Sequence, residues 1–125
     1  MLNRVSTSKA PAAIGPYSQA VWAGDFLYLS GMMPINPATG ELAPAEIAVQ
    51  AAQIMKNIEA VLAEAGLTQE NVVKTTCFLS DMANFAPFNA VYGEYFTSKP
   101  ARSCVAVREL PKGALVEVEV IAYRG

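Results

Sequence analysis

The sequence predicts an α+β fold in which a six-stranded mixed sheet carries two helices on one face. Two observations support this fold class: the elements follow in the order ββ, α, β, α, ββ, and the last strand is aliphatic on one side only. The chain has 125 residues, which fits one domain, residues 1–125, because domains commonly contain about 100–200 residues. Hydrophobic residues make up 53% of the chain, which excludes a disordered protein.

Two short β-like runs open the regular structure, Ser18–Ala23 and Phe26–Ser30. Gly24-Asp25 between them suits a two-residue hairpin turn. The preceding segment, Ala10–Pro16, contains prolines and a glycine that interrupt both helices and sheet ladders. Because this segment is too apolar for a free tail, we expect it to pack against the domain.

The first helix is predicted from apolar residues that recur at spacings of three and four. These residues are Ile47, Ala51, Ile54, Met55, Ile58, Val61, Leu62 and Ala65. The polar residues that lie largely off this stripe are Gln50, Gln53, Asn57 and Glu64. Gly66 stands where a glycine commonly ends a helix, and Pro44 suits the first helical position, although no capping side chain precedes it.

The β-branched run Val72–Leu79 predicts a strand. Asn84 is the predicted N-cap of a second helix, with Pro87 tolerated in the first turn. The residues that would form the buried stripe of this helix are mostly aromatic: Phe85, Phe88, Val91, Tyr92, Tyr95 and Phe96.

The chain ends with two runs, Ser103–Val107 and Leu115–Tyr123, which we predict to form a hairpin through Pro111–Gly113. In the last run, one face carries Val116, Val118, Val120 and Ala122. The other carries Leu115, Glu117, Glu119, Ile121 and Tyr123. The aliphatic face belongs under the helices. The mixed face is too apolar to leave exposed and too charged for a core, so we infer that it meets another subunit.

Composition excludes several classes of function. The chain contains no histidine, so Ser-His-Asp and Cys-His catalysis and His-ligated metals are ruled out. A net charge of −2 gives no general attraction to nucleic acid or to anionic membranes. The two cysteines form neither a disulfide framework nor a CxxC pair, which fits a reducing compartment. Without a signal-peptide core or an apolar run of ~20 residues, the protein is expected to be cytoplasmic and to contact no membrane.

Arg102 is the first candidate for ligand binding. A guanidinium at the mouth of a strand can bind a carboxylate through two parallel hydrogen bonds, and the alternative is a solvated arginine at a strand end.

Glu117 and Glu119 share one face, about 7 Å apart by strand rise. They could perform acid–base chemistry or hold a water molecule. The alternatives are an ion pair with Arg108 or a solvated edge.

The predicted hairpin constrains how these residues could cooperate. If it turns near Lys112, Glu117 lies opposite Arg108 and Arg102 falls near Tyr123. Arg102 and Glu117 are then separated by five to six strand rises, about 17–20 Å. Joint action therefore requires strong sheet curvature or, more simply, two different subunits.

Five further residues are weaker candidates. Tyr17 follows a Gly-Pro turn that could present its phenol at a rim, although a buried tyrosine is equally common. Ser30 and Gly31 end a strand where a ligand could approach the backbone, but no triad surrounds the serine. Asn89 could donate to a ligand or bond locally. Cys104 fits inert packing better than a reactive thiolate.

Several segments together resemble the Rid (YjgF-type) family, and the resemblance covers essentially the whole chain. These segments are Ala10–Ala20, Leu29–Gly31, Val73–Thr76, Phe88–Tyr92, Pro100–Ser103 and Leu110–Gly113. Within the family the sequence resembles the RidA group, the 2-iminobutanoate/2-iminopropanoate deaminases. The combination of Gly-Pro-Tyr-Ser and Pro-Ala-Arg-Ser is highly specific.

The resemblance implies a chorismate-mutase-like fold and a homotrimer with sites in the clefts between subunits. It implies hydrolysis of 2-enamine and 2-imino acids to 2-oxo acids and ammonia, without a metal or organic cofactor. Arg102 would bind the substrate carboxylate and Glu117 would orient or activate the attacking water. The rest of the implied site comprises Tyr17, Ser30 and Asn89, with backbone groups around Gly31 and Cys104.

Two positions depart from the family pattern and leave the substrate range open. Met32 stands where many relatives have glutamine, and Lys99 stands where many have an aromatic residue. Two other functions remain as alternatives to catalysis on imines. One is a non-catalytic ligand-binding or chaperone-like trimer that uses the same cleft. The other is RNA cleavage, which the negative charge and the missing histidine disfavour.

Overall fold

A computed structural model describes residues 1–125. Its strands are β1 (Asn3–Val5), β2 (Ala20–Ala23), β3 (Phe26–Met32), β4 (Val72–Leu79), β5 (Ala101–Ala106) and β6 (Val116–Tyr123). Its helices are α1 (Ile47–Glu64) and α2 (Phe85–Tyr95). The strands form one sheet in the order β1-β2-β3-β6-β4-β5, in which only β4 and β5 are parallel. The predicted six-stranded mixed sheet with two helices is confirmed. The order of elements read from the sequence accounts for five of the strands, and the short β1 was not located.

The predicted hairpin between the last two strands is wrong, because β4 lies between them. Cys77 on β4 is opposite Cys104 on β5 and opposite Val118 on β6. Parallel neighbours need a crossover connection, usually a helix, and α2 supplies it between β4 and β5. The segment that follows β5 then carries the chain past β4, so that β6 pairs between β3 and β4.

Helix α1 differs from its prediction at the start and in two polar residues. It begins at Ile47 rather than Pro44, and its N-cap residue makes no side-chain cap hydrogen bond. It ends as predicted before Gly66, whose φ of 79° is left-handed. Gln50 and Asn57 are buried, each with 1% exposure. They hydrogen-bond to neighbouring loops: Gln50 accepts from the Leu115 N–H (2.8 Å), and Asn57 donates to the Ile35 carbonyl (2.9 Å).

The two faces of the sheet differ as the last strand predicts. The β6 residues Val116, Val118, Val120 and Ala122 are fully or almost fully buried in the core with both helices. The opposite, open face exposes large apolar side chains at 41–47% of their surface, namely Phe26, Tyr28, Val105 and Tyr123. No helix covers this face, and the N-terminal loop lies against one part of it. Neither helix combines the length and the hydropathy that crossing a bilayer requires.

Candidate active site

A cavity of about 410 Å³ lies on the open face, between the N-terminal loop and the adjoining parts of β3 and β6. It is lined by four of the predicted site residues: Tyr17, Ser30, Gly31 and Glu117. Tyr17 is 53% exposed, so its phenol lies at the rim rather than in the core. The Ser30 hydroxyl donates to the Ser18 carbonyl at 2.6 Å. Ser30 can therefore accept a hydrogen bond from a ligand, and its proton is already used.

Gln19, which sequence reasoning missed, holds the loop that forms the wall of this cavity. Its side chain is buried and accepts from the Thr7 N–H at 2.7 Å. Its amide group donates to the carbonyls of Thr7 (3.0 Å) and Pro11 (2.8 Å). The sequence did contain a signal for this role. The irregular, proline-rich segment before the strand has backbone groups without sheet partners, and Gln19 is the nearby polar side chain that can satisfy them. The predicted packing of that segment is confirmed for Ala10, which is buried, whereas Ile14 is exposed.

An irregularity in β3 brings Gly31 against Glu117. Leu29 is opposite Val120 and Met32 is opposite Val118, so β3 contains one residue more than β6 between these pairs. The Glu117 carboxyl group occupies the space that a Cβ at position 31 would need. Glycine at this position therefore allows the carboxyl group to lie close to the β3 backbone and face the cavity.

We expect Gly31→Ala to lower kcat about tenfold or more while the protein still folds. The new methyl group displaces the flexible end of Glu117 rather than backbone. If Glu117 activates water, as the family resemblance implies, its displacement removes much of an effect worth about 10²–10⁴-fold. Steady-state kinetics and thermal unfolding measure the two quantities. The double variant Gly31→Ala/Glu117→Gln is the control, because the methyl group is expected to lower kcat little further once the carboxylate that it displaces has been removed. An unchanged kcat in Gly31→Ala would contradict the assigned position of Glu117.

The surroundings of Glu117 in the cavity shift the pKa of its carboxyl group. Burial raises the pKa of its carboxyl group, and the nearby charge of Glu119 raises it further. A carboxyl group with a raised pKa is a stronger base when ionised, which suits it to take a proton from water. The alternative ion pair between Glu117 and Arg108 is absent, since the chain contains one ion pair, Arg124 with Asp25 at 3.1 Å.

A second site lies on the other side of the sheet, in an open groove of about 700 Å³ between α2 and β5. The Arg102 guanidinium donates to the Asn89 side-chain carbonyl. Its centre lies 4.7 Å from the Tyr92 ring and 5.5 Å from the Phe85 ring. The Tyr92 hydroxyl is hydrogen-bonded to Thr75 at 2.7 Å. These contacts fix the guanidinium, while its remaining N–H groups stay available to bind a carboxylate.

Cys104 lies two residues after Arg102 on the same strand. Burial raises the pKa of its thiol, and the charge of Arg102 opposes this effect only in part. Its neighbour Cys77 is more buried, with a pKa raised to about 12. Because a raised pKa keeps a thiol protonated, neither cysteine is suited to act as a thiolate nucleophile. This favours the interpretation that Cys104 has a packing role.

The two sites face away from each other within one chain. Arg102 pairs with Thr75 and Glu117 pairs with Phe78, so the predicted neighbours Tyr123 and Arg108 are both wrong. Because Thr75 and Phe78 are an odd number of residues apart, their side chains and those of their partners point to opposite faces. The pairing also places Arg102 and Glu117 three residues apart along the strands and two strands apart, which is roughly 14 Å.

The structure thus divides the seven predicted site residues into two sets. Tyr17, Ser30, Gly31 and Glu117 share the cavity on the open face. Arg102 and Asn89 share the groove beside α2, with Cys104 on the same strand as Arg102. The sheet separates the two sets. A ligand that contacts both sets must therefore lie between two chains.

Comparison with known proteins places the whole chain in one family. The model of the endoribonuclease L-PSP family matches residues 7–124. A RutC family protein of Pyrococcus horikoshii, PH0854, is 50% identical over 121 residues, 96% of each chain. The 2-iminobutanoate/2-iminopropanoate deaminase of Escherichia coli K12 is 47% identical over 128 residues, 99% of each chain. The crystal structure of the YjgF gene product from Escherichia coli has a TM-score of 0.94 to this chain at 46% identity, covering 98% of this chain and 99% of the other.

These matches agree with the segments that carried the resemblance in the sequence. Both Gly15–Ser18 and Pro100–Ser103 lie within the range that the family model matches. The identity to individual relatives extends over nearly the full length of the chain and of each relative. The chain therefore belongs to the endoribonuclease L-PSP family, the YjgF/Rid family.

Proposed function

We propose that this protein hydrolyses 2-imino acids and their enamine tautomers to 2-oxo acids and ammonia. The observation that carries the proposal is the presence of two complementary sites. One offers a fixed guanidinium for a carboxylate, and the other offers a carboxyl group of raised pKa beside open space. The name of the Escherichia coli relative, 2-iminobutanoate/2-iminopropanoate deaminase, supports the same reaction.

In the proposed reaction Arg102 binds the substrate carboxylate and so fixes the position of the neighbouring imine carbon. The Glu117 carboxylate accepts a proton from water as the water oxygen bonds to that carbon. For a protonated imine, the C=N double bond becomes a single bond and its electron pair neutralises the nitrogen, which leaves a hydroxyl and an amino group on one carbon. Glu117 then gives its proton to the amino nitrogen. The C–N bond breaks and its electron pair leaves with ammonia, while the hydroxyl proton passes to Glu117 as the C=O bond forms. Glu117 finally releases this proton to the ammonia, which leaves as ammonium. A protonated imine is already electrophilic, so orientation and a placed water supply most of the catalysis.

The other site residues have positioning roles in this proposal. Asn89 uses its carbonyl oxygen to hold Arg102, which leaves its amide N–H groups for the substrate. Ser30 accepts a hydrogen bond because its own proton is donated to Ser18. Tyr17 lies at the exposed rim, where it can close the cavity against water once a substrate is bound.

The division of the site supports a ring of subunits, and the family resemblance implies that the ring is a homotrimer. The groove and the cavity are different surfaces of one chain, so a contact that joins them is heterologous, and repeated rotation about one axis closes such contacts into a ring. A ring of three contains three equivalent sites, each with Arg102 from one subunit and Glu117 from the next. The exposed apolar side chains of the open face supply the surface that such a ring buries.

The activity is tested by competition for an imine produced in solution. An amino-acid oxidase generates 2-imino acids, semicarbazide traps those that persist, and the purified protein is added to compete. We expect less trapped imine with the wild-type protein than with heat-inactivated protein. Binding of 2-oxo acids without any reduction in trapping would refute the deaminase and favour the non-catalytic ligand-binding alternative.

RNA cleavage is disfavoured by the net charge of −2 and by the absence of a histidine.

The shared site is tested by mixing two inactive variants, Arg102→Ala and Glu117→Gln. Co-expression in equal amounts, with a different affinity tag on each, yields mixed assemblies. Random mixing in a ring restores about one quarter of the sites, because each intact site needs one variant on one side and the other variant on the other. If both residues act from the same chain, every chain carries a defect and no activity returns. Light scattering on the same samples measures the oligomeric state, and a monomer at micromolar concentration would refute the ring.

A further inference from the structure

The groove that holds Arg102 contains a second cation, Lys99, which the proposed reaction does not use. The eight residues that line the groove are Asn89, Tyr92, Gly93, Phe96, Thr97, Lys99, Pro100 and Arg102. They include two positive charges and no carboxylate, although the chain as a whole carries a net charge of −2. The single ion pair of the chain, Arg124 with Asp25, involves neither cation. Two uncompensated like charges in one groove repel each other and attract anions.

The backbone holds Lys99 in a defined position. Its φ is 55°, which is unfavourable for a residue with a side chain, and its N–H donates to the Phe96 carbonyl at 3.2 Å. The loop before it is tied to Gln69, which donates to the Thr97 hydroxyl at 3.1 Å and accepts from the Ser98 hydroxyl at 3.1 Å. Pro100 follows and restricts the next φ. Lys99 is therefore presented to the groove by a loop with several fixed points.

Arg102 and Lys99 differ in how they can bind an anion. The planar guanidinium of Arg102 can satisfy one carboxylate completely through paired hydrogen bonds. The ammonium of Lys99 is then left over, as a point charge on a flexible stem with three donors. Such a group can reach a second anion whose distance from the first varies.

We infer that this groove selects ligands with two carboxylates, so that 2-imino acids with an anionic side chain are preferred substrates. Arg102 binds the carboxylate next to the imine carbon and Lys99 binds the carboxylate of the side chain. The inference rests on the proposed function, since it names the substrate class of the same site. Lys99 is a specificity residue in this scheme and takes no part in the transfer of protons.

The test measures binding of stable 2-oxo acids, which does not depend on turnover. Isothermal titration calorimetry compares 2-oxoglutarate, a dicarboxylate, with 2-oxobutanoate, a monocarboxylate. We expect the wild-type protein to favour the dicarboxylate, and Lys99→Gln to lower the ratio of the two affinities by about twofold to fivefold, the range for a partly exposed ion pair. Lys56→Gln on α1 removes an exposed lysine that does not line the groove and is expected to leave the ratio unchanged. Added salt is expected to lower the ratio in the wild type.

Two outcomes would overturn the inference. One is a wild-type protein without preference for the dicarboxylate. The other is a ratio that Lys99→Gln leaves unchanged, including the case in which this variant alters only the oligomeric state and so marks Lys99 as a subunit contact. The trapping assay distinguishes these outcomes from failure of the proposed function. If the wild type hydrolyses no imine but Lys99→Gln still lowers the ratio, the reaction is wrong and the ligand class stands.

Discussion

Replacing Arg102 with alanine is expected to lower kcat/KM for 2-imino acids by about a hundredfold to ten-thousandfold. In the proposed reaction the variant loses two charge-assisted hydrogen bonds to the substrate carboxylate, each worth about 1.5–3 kcal/mol. Arg102 lies on the edge strand β5 and makes its polar contact with an exposed asparagine, so we expect the fold and the assembly to persist. Kinetics in the trapping assay and light scattering measure these two properties.

The controls separate the geometry of the guanidinium from its charge. Arg102→Lys keeps a positive charge but not the planar pair of donors, and we expect it to recover only a small part of the lost activity. Arg108→Ala removes an exposed arginine from the loop after β5 and is expected to behave as the wild type. Full activity in Arg102→Ala would show that the substrate carboxylate binds elsewhere.

Replacing Glu117 with glutamine is expected to lower kcat by about a hundredfold to ten-thousandfold, the range for loss of a general base. KM should change little, because in the proposed reaction it is Arg102 that binds the carboxylate of the substrate. In the wild type, kcat should fall on the acid side as Glu117 becomes protonated, with a midpoint above the ordinary pKa of a glutamate because burial raises it. The pH profile of kcat measures this midpoint.

The matched variant is Glu119→Gln, which removes the neighbouring charge and keeps the proposed base. Since the charge of Glu119 helps to raise the pKa of Glu117, we expect the acid limb of the profile to move to lower pH with little loss of kcat at neutral pH. An acid limb that stays in place in Glu119→Gln, or a Glu117→Gln variant with wild-type kcat, would contradict the role of Glu117.

The same pKa predicts a conflict between activity and stability. The folded protein binds the Glu117 proton more tightly than the unfolded chain does, so this group stabilises the fold below the unfolded pKa. That stabilisation is lost as pH rises through the raised folded pKa. Glutamine carries no charge at any pH. We therefore expect the Tm of Glu117→Gln to exceed that of the wild type near neutral pH, and the difference to shrink under acidic conditions.

Local sequence patterns predicted the elements of this fold well. The strand Val72–Leu79 has the predicted bounds, and the alternating valines of β6 lie under the helices as expected. The pairing of the last two strands was not predictable in this way, because it depends on contacts between distant segments. A hairpin and a crossover around a central strand leave the same local pattern. Gln50 and Asn57 were misplaced for a related reason, since polar residues off an apolar stripe are expected in water.

In the candidate site, too, residue types could be predicted from local sequence, whereas spatial arrangement depends on contacts between distant segments. Residue type and the family resemblance identified Arg102 and Glu117. The face of Glu117 followed from the alternation along its strand, whereas the face of Arg102 could not be derived, because shifting the partner of a strand by one residue reverses every side chain. The predicted need for two subunits nevertheless follows from the corrected pairing as well, and for a stronger reason: the sheet itself stands between the two side chains.

The placement of Arg102 and Glu117 on opposite faces also affects inheritance. In the proposed ring, each copy lends its guanidinium to one neighbour and its carboxyl group to the other. A copy that lacks both groups silences both sites that it shares, whereas a copy that lacks one group silences a single site. In a cell with two alleles, a double loss in one of them is therefore expected to depress activity beyond its share of the subunits. Two different single losses in separate alleles partly rescue each other.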